Sequence, residues 1–167
     1  YCSPKNKKEL DAALSFFRSL PLWLEVDGIR VIHACWRDDI IESIRPVLNA
    51  DNSMTNEFFI AANTKNSLEY NAIETLLKGS EFKLPDVISF FDKDGHERNE
   101  VRVRWWLNKA KDLGELAFGR YDKHITEISI NTENLIGYQQ DAPPVFIGHY
   151  WLNDKPEPLA NNIACLD

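Results

Sequence analysis

Residues 22–33, LWLEVDGIRVIH, decide how the first part of this chain folds. Two apolar runs, Leu22–Val26 and Ile29–His33, flank the pair Asp27-Gly28. Both turn residues tolerate positive φ, as the two-residue turn of a β-hairpin requires. The pattern therefore predicts an antiparallel hairpin whose second strand ends in a histidine.

Helical periodicity precedes and follows the hairpin. Asn6-Lys7-Lys8-Glu9 is typical of a capping box, and the apolar spacing after it indicates a helix that Pro21 stops. The stretch before Gly79 is also mostly helical in pattern, with the glycine as its stop signal. The predicted helices cover residues 7–19, 38–44, 55–62 and 67–78.

The rest of the chain favours strands and turns. In chain order the pattern predicts a strand at 101–105, a helix at 106–116, a strand between 119 and 134 that contains Ile125, Ile128 and Ile130, and short buried strands at 145–147 and 163–166. This order favours a mixed α/β (α+β layered) fold. Its mixed sheet would combine the hairpin with the last two strands and would carry helices on one face.

Composition suits one domain or part of a larger one. The chain has 167 residues, is 44% hydrophobic and carries a net charge of -7, which argues against a general affinity for nucleic acid or anionic membranes. No apolar run approaches the roughly 20 residues of a membrane span. Because Cys2, Cys35 and Cys165 show no CxxC spacing, we expect free or buried thiols and a cytoplasmic location. Since the first residue is Tyr1, we also expect the chain to begin inside a longer protein.

His33 and His149 each close an apolar, strand-like run. A buried strand that ends in His can present a rigid neutral imidazole at a sheet edge, and Gly148 lets a backbone or an ion approach closely. Two such rings can serve one divalent cation, although they cannot complete its shell. A histidine satisfied within the core is the plainer explanation for each. The metal hypothesis predicts that the two rings converge.

The surroundings of His33 and His149 resemble the fourth and fifth ligand blocks of the calcineurin-like metallophosphoesterases. The resemblance is closest to the branch that holds the protein serine/threonine phosphatases and the symmetrical diadenosine tetraphosphatases. The segments that carry it are 20–25 and 31–34 for the fourth block, 146–151 for the fifth, and 76–79, 92–95 and 102–106 for the variable insert of bacterial members. The resemblance implies that residues 1–167 are the C-terminal portion of one such domain. It would be a partial sandwich with a helical insert at about 37–120.

The same resemblance implies a metal-dependent phosphoesterase. His33 and His149 would serve one cation of a two-metal centre of Mn, Fe or Zn in the intact parent protein, where a water activated by the metals attacks phosphorus. Substrates would be phosphomonoesters, nucleotides or phosphoproteins. The family's first three blocks, which carry its acidic ligands, have no counterpart in this chain, and Trp151 stands where many relatives have a second His. We therefore expect the chain alone to bind no complete metal pair and to be inactive or nearly so.

Three arginines are candidates for binding the substrate phosphate. Arg102 and Arg104 share one face of a predicted strand, and Arg37 lies four residues after His33. A guanidinium suits this role because it binds phosphate in a bidentate manner. A solvated strand face and a surface helix charge are the plainer explanations. Lys78 is expected to offset a helix dipole.

Asp92-Lys93-Asp94-Gly95 is predicted to be a turn, because the spacing of a calcium loop fails here. We expect His96 and His124 to be exposed.

Two further hypotheses stay open at this point. The chain could be a non-catalytic binding module that keeps the fold without the chemistry, or a structural fragment with no role of its own.

Overall fold

The computed structural model describes residues 6–131, 135–150, 152 and 157–167. Its helices are α1 (Lys7–Ser19), α2 (Asp38–Ile44), α3 (Asn56–Ala61), α4 (Leu68–Lys78), α5 (Leu113–Leu116) and α6 (Lys123–Thr126), with a 3₁₀ turn at Arg45–Val47. Its strands are β1 (Trp23–Val26), β2 (Ile29–Ile32), β3 (Glu81–Lys83), β4 (Phe90–Phe91), β5 (Glu97–Arg98), β6 (Glu100–Arg102), β7 (Val145–Ile147) and β8 (Ile163–Cys165).

The predicted hairpin is confirmed. β1 and β2 pair antiparallel, with Trp23 opposite Ile32 and Val26 opposite Ile29. The turn residues Asp27 and Gly28 have φ of 50° and 77°, so both lie in the left-handed region. These angles match the twist of the flanking strands, which is why this dipeptide fixes the register.

A four-stranded mixed sheet forms the centre of the molecule, in the order β1-β2-β7-β8. The hairpin is antiparallel, whereas β2 pairs with β7 and β7 with β8 in parallel. The strands predicted at 145–147 and 163–166 are therefore confirmed, and so is the mixed α/β fold class with a mixed sheet and flanking helices.

The two faces of this sheet differ sharply in exposure. The inner face carries buried side chains that join one core with α2, α3 and α4: Trp23, Ile32, Val145, Ile147, Ile163 and Cys165. On the outer face, Leu24, Val31, Phe146 and Ala164 form one row across all four strands. Leu24 and Val31 are 44% and 39% exposed. α1 borders this outer face, because Phe17 lies beside it.

The first four predicted helices are confirmed, and side-chain caps define three of them. Asn6, Thr55 and Ser67 each accept a hydrogen bond from a backbone N–H in the first turn of α1, α3 and α4. Gly79 ends α4 with φ 95°. The Leu76 carbonyl accepts from the backbone N–H groups of both Ala34 and Cys35, so the end of α4 is fixed against the end of β2.

Residues 80–130 build a second, smaller core beside the main one. Two short antiparallel pairs, β3 with β6 and β4 with β5, belong to this region. The turn predicted at Asp92–Gly95 joins β4 to β5 and is held by Asp92, whose carboxylate accepts from the N–H groups of Asp94 and His96. The buried members of the second core are Leu84, Val101, Val103, Ala110, Leu113, Leu116, Ala117 and Ile125. The insert boundaries at about 37 and 120 stay a prediction.

The predicted strand at 101–105 is only partly right. It ends at Arg102, and Val103 forms an isolated bridge to Ala117. Trp105 leaves the strand because its indole N–H donates to the Ala34 carbonyl in the main core.

Two other predictions in this region are wrong. The predicted helix at 106–116 shrinks to α5, because Asp112 caps a new helix start at Leu113 and its side chain accepts from the backbone N–H of Glu115. Instead of a strand, the stretch 119–134 contains α6, and Ile125 points into the second core as a helical residue. Ile128 and Ile130 pack against the same core in irregular backbone, and residues 132–134 lie outside the described ranges.

Cys35 and Cys165 are buried free thiols, as expected. Cys2 lies outside the described residues. No helix in the described ranges is both long and apolar enough to cross a membrane.

Candidate functional site

His33 and His149 directly follow the C-terminal ends of two neighbouring parallel strands. His33 comes after β2 and His149 after β7 and Gly148. The Gly148 N–H donates to the His33 carbonyl at 2.9 Å, so the pairing of the strands continues up to the histidines. Because parallel strands end at the same edge of a sheet, the topology brings both side chains to one place, where open α/β sheets commonly bind ligands.

The two imidazoles converge as predicted from the sequence. Their ring centroids are 5.1 Å apart, with the ring planes inclined by 58°. His149 has φ 67°, a left-handed backbone that turns its side chain out of the strand direction. Its backbone N–H donates to the Asp167 carboxylate at 2.9 Å, which fixes this turn against the end of the described chain.

His149 is the more constrained ring of the pair. Its Nε2 atom is buried and has no hydrogen-bond partner within the described part of the chain. Burial lowers the pKa of this imidazole, and the positive charges of Arg102, His33 and Lys78 lower it further, while Asp167 acts in the opposite direction. His149 is therefore held as a neutral imidazole, the form in which histidine binds metals.

The donor set fits part of a metal site. Two adjacent imidazoles, with an unpartnered ring nitrogen on His149 in the described part of the chain, suit Mn, Fe or Zn. Among residues 6–131, 135–150, 152 and 157–167, no three His, Cys, Asp or Glu side chains are grouped to hold a metal ion. The described residues thus offer a ligand pair rather than a closed shell.

The structure separates the three candidate arginines. Arg102 lies beside the histidines: its charge acts on His149, and its Cζ is 5.6 Å from the ring centroid of Tyr150. Arg37 instead forms a two-pronged ion pair with Asp39, at 2.8 and 2.6 Å. Arg104 donates to the Glu115 carbonyl.

The other polar residues singled out from the sequence have simple surroundings. Lys78 lies in the last turn of α4 and pairs with Glu74 at 2.6 Å, while its charge still reaches His149. His96 and His124 are exposed, as expected.

Tyr150 is a site residue that sequence reasoning missed. It is fully buried, although its hydroxyl has no hydrogen-bond partner in the described ranges. Its position directly after His149 was the one available signal. The contacts with Arg102 and with Gly79 arise only in the folded chain.

An open trough of about 900 Å³ runs from the histidines along the outer face of the sheet. Its lining is mainly apolar and includes Phe17, Leu24, Val31, Phe146 and Leu166. His33 and His149 also line it. The site is therefore open toward the exposed face of the sheet and closed toward the core.

Comparisons of the chain with protein-family models, with curated proteins and with solved structures found no match.

Proposed function

We propose that this chain is the C-terminal portion of a calcineurin-like, metal-dependent phosphoesterase domain. In this proposal His33 and His149 bind one divalent cation of a two-metal centre. The observation that carries it is the convergence of two imidazoles at the ends of parallel strands, with a buried ring nitrogen of His149 that has no partner among the described residues. A buried polar atom of this kind needs a ligand, water or ion to satisfy it.

A divalent cation at this site would supply Lewis-acid activation of a phosphate ester. The chain's own contribution is to bring the two rings together and to hold His149 neutral and in place. His149 is fixed by the bond from its N–H to Asp167, and its neutral form is favoured by burial. The acidic ligands of such a centre would come from sequence other than the described residues.

Arg102 is the arginine that we assign to the substrate phosphate. It lies close enough to His149 to influence its charge state, and its Nε is buried without a partner in the described part of the chain. The guanidinium of Arg37 is occupied by Asp39, and Arg104 donates to Glu115. The substrate would be a phosphomonoester or a nucleoside polyphosphate, and the setting the cytoplasm.

The exposed outer face of the sheet supports the proposal that the chain is part of a larger domain, as a partial sandwich. β2, β7 and β8 are parallel neighbours, and parallel strands are normally covered on both faces. Here one face is covered by helices, while the other presents Leu24, Val31 and Phe146 beside the histidines. A second layer of the same domain would cover these side chains.

A non-catalytic, anion-binding module is the second candidate. The surroundings of His149 favour it: Arg102, Lys78 and the neighbouring His33 oppose a positive charge there, and only the Asp167 carboxylate, among the described side chains that lower or raise its pKa, acts in the opposite direction. In this case the site would bind a phosphate group directly and would need no metal.

The chain's four histidines allow a direct test of the metal assignment. Mn²⁺ is added to the ¹⁵N-labelled chain, and paramagnetic broadening of the imidazole resonances is followed by NMR. We expect His33 and His149 to broaden together at Mn²⁺ concentrations that leave His96 and His124 sharp. Broadening of all four rings alike would contradict the metal proposal and favour the anion-binding module.

A further inference from the structure

Tyr150 is buried against aromatic rings on two sides. Its ring centroid lies 4.8 Å from that of Phe118 and 5.7 Å from that of Trp106, both in edge contacts. These contacts leave the ring little freedom to rotate, since all three side chains belong to or pack against the main core. The Tyr150 ring is therefore a rigid surface directly after a candidate ligand.

Arg102 lies against that surface. Its Cζ atom is 5.6 Å from the Tyr150 ring centroid, within the range of a cation–π interaction. Its Nε is buried and unpartnered within the described residues. No ion pair joins Arg102 to a carboxylate in this part of the chain, in contrast to Arg37, although Glu81 lies opposite Arg102 across β3 and β6 and the two charges attract each other.

Gly79 makes room for this arrangement. A Cβ at this position would collide with the Tyr150 hydroxyl and lie 3.7 Å from Cδ of Arg102. The end of α4 thus leaves a recess that both side chains share. A bidentate contact to phosphate requires a guanidinium held in one plane, and a flat aromatic support can hold it so.

We infer that Tyr150 is a positioning residue, whose ring holds the Arg102 guanidinium in the orientation that binds the substrate phosphate. The inference deepens the proposed function and rests on it for the role of Arg102. Tyr150 itself makes no contact with the phosphate. The ring of Tyr150 makes the contact with Arg102, so the hydroxyl is dispensable for this role.

Two variants of Tyr150 distinguish the role of its ring from that of its hydroxyl. Tyr150→Phe keeps the ring, whereas Tyr150→Leu removes it, and Tyr150→Met serves as a second ring-free variant if the leucine does not fold. In metal-free samples with a chelator, the ¹⁵Nε–H order parameter of Arg102 is measured by NMR. We expect it to stay at the wild-type value in Tyr150→Phe and to fall in the ring-free variant. Unchanged order without the ring would overturn the inference, as would equal loss in both variants.

A measurement on the wild-type chain needs no variant. Protons over the face of an aromatic ring are shifted upfield, so the Hδ resonances of Arg102 should lie upfield of those of Arg104. Hδ shifts at ordinary values for Arg102 would overturn the inference.

Inorganic phosphate then tests whether Arg102 binds a phosphate group and whether the Tyr150 ring strengthens that binding. Titration of the metal-free chain should shift the Arg102 Nε–H resonance, with a Kd unchanged in Tyr150→Phe and weakened about tenfold without the ring. No phosphate effect on Arg102 in the wild-type chain would overturn the role that the proposed function gives this arginine. If phosphate has no effect on Arg102 but the Arg102 guanidinium still loses order in the ring-free variant, Tyr150 would be established as the residue that holds Arg102.

Discussion

His149 combines three features in one residue: a left-handed backbone, a buried ring nitrogen without a partner in the described chain, and cationic neighbours. The first costs conformational energy in a residue other than glycine or asparagine. The second and third oppose protonation of the ring. Together they describe an imidazole kept neutral and directed at a ligand, which is how we interpret it.

This interpretation predicts how stability depends on pH. Because the folded-state pKa of His149 lies below the ordinary value of 6.5, the unfolded chain takes up the proton first as pH falls. The contribution to stability is therefore complete above about pH 6.5, and it is lost as the pH falls from there through the lower folded-state pKa of His149. Asn tolerates the left-handed backbone, so His149→Asn removes the titration while keeping the turn.

Urea unfolding of the metal-free chain at pH 7.5 and pH 5.5 measures this effect. We expect the wild type to lose more free energy of unfolding on acidification than His149→Asn does. Equal losses would mean that the ring is not held neutral by the fold.

At the residue scale, the sequence located the histidines but not their surroundings. Apolar runs that end in His33 and His149 predicted two imidazoles at strand ends, and parallel pairing then brought the rings together. The sequence did not show which of the three candidate arginines would contact phosphate. The contact of Arg37 with Asp39 and that of Arg102 with Tyr150 depend on the fold. Neither partner lies at a spacing that signals its role.

Among the secondary-structure elements, two glycines stand at positions that require a left-handed backbone. Gly28 completes the β1–β2 turn with φ 77°, and Gly79 ends α4 with φ 95°. A Cβ at Gly28 would have no atom within 4 Å, whereas at Gly79 it would meet the Tyr150 hydroxyl. The two sites thus share backbone strain but differ in packing.

Replacement of each glycine by alanine should lower the free energy of unfolding by a different amount at the two sites. Gly28→Ala should lower the free energy of unfolding by about 1 kcal/mol, from the unfavourable φ alone. Gly79→Ala should lower it by about 3 kcal/mol, because overpacking against Tyr150 adds to that strain. Chemical denaturation of the two variants gives both values. Similar losses would show that the recess at Gly79 relaxes freely.

Sequence reasoning worked best where an element is fixed by its own residues. The Asp27-Gly28 turn and the caps Asn6, Thr55 and Ser67 are local signals, and the elements they bound are correctly predicted. The predicted helix at 106–116 was wrong because Trp105 lies in the main core and Asp112 caps a later helix start, and the predicted strand around Ile125 was wrong because Ile125 is buried in the second core as part of α6. The burial of Trp105 and Ile125 in the two cores outweighs local propensity, whereas the Asp112 cap is itself a local signal.

On the scale of the whole molecule, the central sheet has one covered and one exposed apolar face. The inner face carries Trp23 and Ile32 at 1% and 4% exposure, whereas Val31, one residue earlier, is 39% exposed. This asymmetry predicts that the outer face contributes little to the stability of the chain alone.

Charge on the outer face tests that prediction. The double variant Leu24→Lys, Val31→Glu places opposite charges on two paired positions; it should change the free energy of unfolding by less than about 1 kcal/mol and should reduce binding of a hydrophobic dye. As the control, Ile32→Ala on the inner face should cost about 3 kcal/mol. A large loss in the double variant would mean that the outer face is already packed.

We have proposed that His33 and His149 belong to the metal centre of a phosphoesterase, and this proposal can be tested by activity. Its most direct test is Mn²⁺-dependent hydrolysis of an aryl phosphate by the encoded full-length protein and by the 167-residue chain, each with and without a chelator. We expect chelator-sensitive turnover by the full-length protein and little or none by the chain alone, since two imidazoles cannot hold two cations. His149→Ala in the full-length protein should lower turnover at least about a hundredfold, while His124→Ala at an exposed position should leave it unchanged. Robust turnover by the chain alone, or full activity of His149→Ala, would contradict the account.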